Sequence, residues 1–152
     1  MVYFVIIVMA IMLDRIVKWG ISNAMVPGQT IPVIENIFHI TYVRNTGAAF
    51  SMMQGQTIIL VGLPVVVMVV AVVLLIVKRK FWHPLLCTGI SMICAGGTGN
   101  LIDRASVGYV VDMFDFRVFP VFNVADIFVC AGCGAILIYV MMIEGRKEKK
   151  QN

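Results

Sequence analysis

The feature that most constrains this chain is a set of long apolar runs unbroken by charge. Residues 58–77 and 81–102 hold 20 and 22 residues without Asp, Glu, Lys or Arg, and residues 127–143 hold 17 more. A fourth run, 2–13, is apolar throughout and continues past Asp14, Arg15 and Lys18 to Trp19, an aromatic suited to a membrane interface. About 20 apolar residues carry a helix across a hydrocarbon layer. The runs therefore predict a membrane α-helical protein, a bundle of four transmembrane helices over about 2–19, 58–77, 81–103 and 123–143. Composition agrees: 61% of residues are hydrophobic and 13% charged, against about 45–50% and 25% in a soluble domain. An ordinary water-soluble globule is excluded, and 152 residues leave room for a single integral membrane domain.

Charge sets the orientation. Seven of the twelve basic residues fall in two clusters, Lys78-Arg79-Lys80 and 146–150, each flanking an apolar run. This is the pattern of topology marking rather than of nucleic-acid binding. Four spans put both clusters on one side, so both termini are expected in the cytoplasm, with 144–152 as a basic tail. The first run has no basic leader and no small-residue cleavage site, so it reads as a retained helix rather than a removable signal. Gly62 and Pro64 near the start of the second run are tolerable at a helix end.

That orientation sorts the acids. Only Glu144 and Glu148 lie with the inner basic clusters, whereas Asp14, Glu35, Asp103, Asp112, Asp115 and Asp126 fall at or beyond the outer ends of spans. Charges at membrane depth cost roughly 2.5–3.5 kcal/mol each on insertion scales and are functional candidates by default. Two segments are long enough to cover this polar level. Residues 25–55 carry strand-like alternation in Phe38-His39-Ile40-Thr41-Tyr42, with Phe38, Ile40 and Tyr42 on one face, between the turn signals Pro27-Gly28 and Asn45-Thr46-Gly47. They predict a small extracytoplasmic antiparallel β-sheet between helices 1 and 2. Residues 105–122, rich in Phe, read as a short loop lying in the interface.

Several acids could do chemistry. Asn123-Val124-Ala125-Asp126 has the spacing of a capping box at the start of the fourth helix, where the helix dipole also favours an ionised carboxylate. Asp112, isolated among Val110, Val111, Met113 and Phe114, is expected to favour its protonated form through desolvation or a second carboxylate nearby. Two acids sharing a proton make an aspartic-protease dyad, in which one activates water and the other protonates the carbonyl oxygen. Asp103 is a rival partner for Asp126. It adjoins Arg104 and follows the small-residue run 95–100, where helices can approach closely. An ion pair at a helix end explains it equally, and an interfacial salt bridge explains Asp14 and Lys18, which lie four apart. Asn100 and Arg104 share a helix face and can hold a carboxylate or a substrate carbonyl. The Cys130-x-x-Cys133 spacing sits in an apolar helix and reads as small-residue packing. His39 and His83 fall on opposite sides of the membrane, which argues against a shared metal site. A small proton-coupled transporter is the competing class, since intramembrane acids also relay protons, and a non-catalytic assembly subunit is a third.

The motifs also resemble a known family, bacterial lipoprotein signal peptidase, or signal peptidase II. The matching blocks are Asp14-Arg-Ile-Val-Lys18, Arg44-Asn-Thr-Gly-Ala-Ala-Phe50, Gly96-Gly-Thr-Gly-Asn-Leu-Ile-Asp-Arg104, Val110-Val-Asp-Met113 and Phe119-Pro-Val-Phe-Asn-Val-Ala-Asp126. The resemblance implies an aspartic endopeptidase of the bacterial plasma membrane, with its active site at the extracytoplasmic interface. Such an enzyme removes the signal peptide from a diacylglyceryl-modified prolipoprotein, cleaving before the lipidated cysteine. It implies catalytic roles for Asp112 and Asp126 and supporting roles for Asp14, Lys18, Asn45, Gly99, Asn100, Asp103, Arg104 and Asn123. The expected partners are the lipidated substrate and membrane lipid, with no metal, cofactor or nucleic acid, in a monomer. The chain departs from the family pattern at Arg15, where Gln is common, at Val17, where a hydroxyl residue is common, and at Ala95 and Gly97, where Gly and Ala are usual. These changes bear on local packing rather than on the proposed dyad.

Overall fold

A computed structural model describes residues 1–47 and 61–144, with side chains to residue 141. The start of the second expected span (58–60), residues 48–55 of the expected outer segment and the tail from 145 lie outside the described residues. In chain order the elements are α1 (Val2–Ala24), β1 (Thr30–Ile34), β2 (Phe38–Asn45), α2 (Leu63–Lys78), α3 (Pro84–Val107), β3 (Val110–Asp115) and α4 (Val124–Ile138), which a π-helical turn extends over Tyr139–Glu144.

The helices are apolar outside and polar or small inside, the reverse of a soluble bundle. The buried positions of α1 are Ala10, Asp14 and Lys18, spaced by four along one face, while Phe4, Met9, Leu13 and Ile16 are exposed. On α2 only Leu75 is buried, and Val66, Val69, Val73 and Ile76 face outward. Such large exposed apolar surface marks contact with lipid or protein rather than water. Among the described residues two helices are long and apolar enough to cross a membrane, Pro84–Val107 and Val124–Met141. α1 carries Asp14, Arg15 and Lys18 in its second half, and α2 is described over 16 residues.

Glycine sets the helix spacing. A Cβ on Gly132 would lie 2.6 Å from the Gly89 carbonyl oxygen, and one on Gly89 would lie 2.8 Å from that of Gly132. A Cβ on Gly96 would overlap the Ala125 carbonyl. α3 and α4 are thus in backbone contact, as the small-residue run predicts. At Gly97 a Cβ would meet Met68 Sδ of α2 at 2.8 Å, so the departure to glycine there makes room for a methionine. The Cys130-x-x-Cys133 pair does not provide packing: both thiols are free and exposed, and Gly132 between them makes the close contact.

The sheet is antiparallel in the order β1-β2-β3. Pro27 and Gly28, whose φ is +87°, form the turn before β1, closed by Gln29 N–H donating to the Val26 carbonyl at 2.9 Å, with Pro and Gly at the two central positions. The sheet extends beyond the segment between helices 1 and 2. Six residues of the expected interfacial loop, Val110–Asp115, form its third strand. Five of those six are buried, so this strand lacks the period-2 polarity that reveals a half-exposed one. The register of β2 shifts between Ile40 and Val43. The bulge still leaves Ile40 and Tyr42 together. Ile40 packs against the core of Tyr42, Met25, Val111 and Met113 that faces Val17 and Ile21 of α1, and Phe38 meets Phe114, which packs there too, and Phe116. α3 ends at Gly108 (φ +81°), a left-handed position that glycine adopts without a Cβ clash, and the chain turns directly into β3.

Candidate active site

The start of α4 is built by its own sequence. Asn123 Oδ1 accepts from Asp126 N–H at 3.0 Å, and Asp126 Oδ2 accepts from Asn123 N–H at 3.1 Å, which closes the capping box. Because the Asn123 oxygen is taken by a backbone donor, its amide nitrogen must point the other way. It donates to Asp112 Oδ1 at 2.6 Å and to Asn100 Oδ1 at 3.0 Å.

Two further asparagines are oriented by the same logic. Lys18 Nζ has hydrogens and no lone pair, and it donates to Asn100 Oδ1 at 3.0 Å. The Asn100 nitrogen is thereby turned to Asp126 Oδ1 at 2.8 Å. Gly47 N–H donates to Asn45 Oδ1 at 3.0 Å, and the Asn45 nitrogen donates to Asp112 Oδ2 at 3.0 Å. Asn45 comes from β2, Asp112 from β3, Asn100 from α3, and Asn123 with Asp126 from the start of α4. Their convergence joins elements far apart in sequence.

Asp112 and Asp126 both line a cavity of about 920 Å³, with Asn45, Asn100, Arg104 and Asn123. Its walls are otherwise apolar, including Val43, Phe119, Phe122, Ile127 and Val129. Asp112 is 3% exposed. Burial pushes its carboxyl up to about 6, against the pull of the Asn45 and Asn123 hydrogen bonds, and the nearby Asp126 charge adds to the rise. Cys130 also lines the cavity, one turn of α4 beyond Asp126.

Behind the cavity lies a second cluster. Lys18 Nζ meets Asp14 Oδ2 at 2.9 Å and Asp103 Oδ2 at 2.8 Å, and with Asn100 Oδ1 its three hydrogens are used. Arg15 pairs with Asp103 and lies 3.4 Å from Asp14 Oδ2. Asp14 Oδ1 accepts from Ala125 N–H at 3.0 Å, in the first turn of α4. Gly99 makes this approach possible: a Cβ there would stand 2.8 Å from Asp14 Oδ2 and 3.2 Å from Ala125 Cβ.

These contacts divide the sequence-predicted residues. Asp112 shares the cavity with Asp126, and Asp103 is absent from its lining. The ion pair expected for Asp103 exists, but its partners are Lys18 and Arg15 rather than its neighbour Arg104. Arg104 instead donates to the Gly47 carbonyl at 2.7 Å. The Asp14–Lys18 salt bridge expected from their spacing is present and buried inside the protein, with side chains 1% and 3% exposed. Arg15 had no role in the sequence reading, and its position beside Asp14 was the one available signal. Among the described residues no group of three or more His, Cys, Asp or Glu could hold a metal ion.

Known proteins resemble the chain in sequence and in fold. A family model described as Signal peptidase (SPase) II matches residues 6–142. A lipoprotein signal peptidase from Clostridioides difficile is 40% identical over 148 residues, covering 96% of this chain and 99% of that protein. One from Halothermothrix orenii is 40% identical over 144 residues, covering 95% and 97%. A bacterial membrane enzyme solved by the in meso method at 2.3 Å resolution superposes with a TM-score of 0.88 at 29% identity, covering 96% of this chain and 91% of that one. A second, at 1.9 Å resolution, gives 0.83 at 29% identity, covering 93% and 94%. These matches lend the transporter reading no support.

Proposed function

The chain belongs to the signal peptidase II family, and from that premise we propose that Asp112 and Asp126 are its catalytic pair. It is a bacterial membrane enzyme, an aspartic endopeptidase that removes the signal peptide from prolipoproteins. The observation that carries the assignment is the amide bridge. Two carboxylates, Asp112 buried and Asp126 partly buried, face one cavity. Asp112 is bound by the asparagine nitrogens of Asn45 and Asn123 and Asp126 by that of Asn100, and neither is held by a cation within ion-pairing distance among the described residues.

In the proposed reaction Asp126, on the first turn of α4, takes a proton from water as that water attacks the scissile carbonyl. Asp112, protonated, gives its proton to the carbonyl oxygen. The tetrahedral gem-diol then collapses: one hydroxyl returns its proton to Asp112 as the C=O bond re-forms, the C–N bond breaks, and the leaving nitrogen takes the proton held by Asp126. Asn45, Asn100 and Asn123 hold the carboxyl groups in register. Arg104 holds the Gly47 carbonyl beside them, and the apolar walls receive the substrate's own apolar chain. Asp14, Lys18, Asp103 and Gly99 act behind these groups, fixing the start of α4 and the orientation of Asn100.

The four helices are proposed as four spans of one domain, with both termini cytoplasmic and the cavity at the extracytoplasmic interface, where the lipidated cysteine of the substrate would sit. The outward apolar faces of α1 and α2 and the basic residues after α2 support this arrangement. Asp112→Asn and Asp126→Asn are expected to leave a folded protein that fails to cleave a diacylglyceryl-modified precursor. Ordinary turnover by either variant removes the assignment.

A further inference from the structure

Arg44 is a cation on the sheet that forms no ion pair among the described residues. It stands next to last in β2, its Cα opposite Val111 of β3. Its guanidinium carbon lies 4.9 Å from the ring centre of Tyr109 and 5.7 Å from that of Tyr42, and its Nε donates to Tyr42 Oη at 3.3 Å. Tyr42 is rooted in the core at 2% exposure. Tyr109 occupies the single step between the Gly108 cap of α3 and the first residue of β3. The guanidinium therefore fastens the end of β2 to the α3–β3 junction.

The next residue is Asn45. Consecutive strand residues point to opposite faces, so the stack on one face of the sheet backs the Asn45–Asp112 hydrogen bond on the other. Asn45 is the last residue of β2, opposite Val110, where a strand without restraint frays. We propose that Arg44 is a positioning residue for peptide-bond cleavage: stacked on Tyr42 and Tyr109, it holds the end of β2 so that the Asn45 amide stays on Asp112 Oδ2. The proposal rests on the assignment of Asp112 as catalytic.

The test is kinetic, on the full-length enzyme in detergent with a fluorescent diacylglyceryl lipopeptide. Arg44→Met, which keeps the length of the side chain and loses the cation, is expected to lower kcat about tenfold, in the range of two cation–π contacts, with KM unchanged. The Asn45 hydrogen bond favours the charged form of Asp112, so its loss moves the upper limb of the pH profile to higher pH. The other charges near Asp112 are Asp126 of α4, Lys18 of α1 and Arg104 of α3, and the variant replaces none of them. Asn45→Ala should move the same limb in the same direction, and adding Arg44→Met to it should cost nothing further. Tyr109→Leu should follow Arg44→Met, while Tyr109→Phe, which keeps the ring and loses the hydroxyl that meets Tyr42 and Arg44, should fall between Arg44→Met and the unaltered enzyme.

An unmoved limb in Arg44→Met, or a full tenfold loss on top of Asn45→Ala, overturns the proposal. Asp112→Asn measured in the same assay separates the two levels. Normal cleavage there removes the dyad itself, whereas an inactive Asp112→Asn beside an indifferent Arg44→Met removes the clamp alone.

Discussion

Asp14 and Asp103 in one cluster and Asp112 in the other are almost equally buried, at 1%, 3% and 3% exposure, but their partners differ in kind. The first two meet the ammonium of Lys18 and the guanidinium of Arg15. Asp112 meets the neutral amides of Asn45 and Asn123, and Asp126 meets Asn100 and the backbone of its own helix start. Asn100 belongs to both clusters, accepting from Lys18 and donating to Asp126. A cation compensates a buried charge and fixes its place, and removing it leaves the charge stranded. An amide fixes a carboxyl group just as firmly in position without supplying an opposing charge, so the group can lose and regain a proton during a reaction. On the proposed assignment, the membrane enzyme keeps its scaffold acids and its working acids apart by this choice of partner.

The largest test of the comparison uses the same isosteric change in both clusters. Asp112→Asn is expected to cut cleavage roughly 10³-fold or more, within or above the usual contribution of a positioned acid or base, while the thermal unfolding midpoint in detergent stays near that of the unaltered protein. Asp103→Asn should do the reverse, lowering the midpoint through the loss of its pairing to Lys18 and Arg15. Equal behaviour of the two variants would break the distinction. Lys18→Met is next in size. It leaves Asp103 to Arg15 alone and Asp14 with Arg15 at 3.4 Å as its remaining cation, and it frees the Asn100 amide. Breaking a buried pair costs about 3–5 kcal/mol, read as a fall in unfolding free energy. A variant as stable as the parent would show that the ion cluster is dispensable.

The pH profile sharpens the other side. Asp112 must carry its proton to donate it, and burial holds that carboxyl at about 6. The protonated form is complete well below that value and is lost as pH rises through it. kcat/KM, which reports the free enzyme, should therefore fall about tenfold per pH unit above the limb, with an apparent value that belongs to the coupled pair. Steady cleavage rates from pH 5 to pH 8 would contradict a donating role for Asp112.

Much of this was legible in the residues. The Asn123–Asp126 spacing writes out its own helix cap, and the run from Gly96 to Asn100 announces backbone contact between helices. Each depends on neighbours within a turn or two. Asp14–Lys18 was legible from its four-residue spacing, but the partners of Asp103 were not, because Arg15 reaches Asp103 across 88 residues and local order pairs Asp103 with Arg104 instead. β3 was hidden for a different reason. Its residues are buried on both faces, so Val110–Asp115 lacks the alternation that betrays a strand at a surface. The bulge between Ile40 and Val43 likewise belongs to the pairing of β2 with β3 and to neither strand alone.

The smallest effect is expected at the rim of the ion cluster. The side chain of Arg15 is 32% exposed, and its partners are already served by Lys18, which lies 2.9 Å from Asp14 and 2.8 Å from Asp103. Arg15→Gln introduces the residue common at this position in the family the chain resembles, and it leaves Lys18 with all three of its acceptors. A partly exposed pair with an alternative cation is worth less than about 1 kcal/mol. The difference in unfolding midpoint between parent and variant should be small and should shrink further as salt is raised, because a solvent-accessible charge is screened. The same titration on Lys18→Met should leave its deficit nearly intact, since that ammonium is 3% exposed. A salt-insensitive loss in Arg15→Gln as large as that of Lys18→Met would place Arg15 among the buried members and make the cluster a tetrad of equals rather than a core triad with an outer guard.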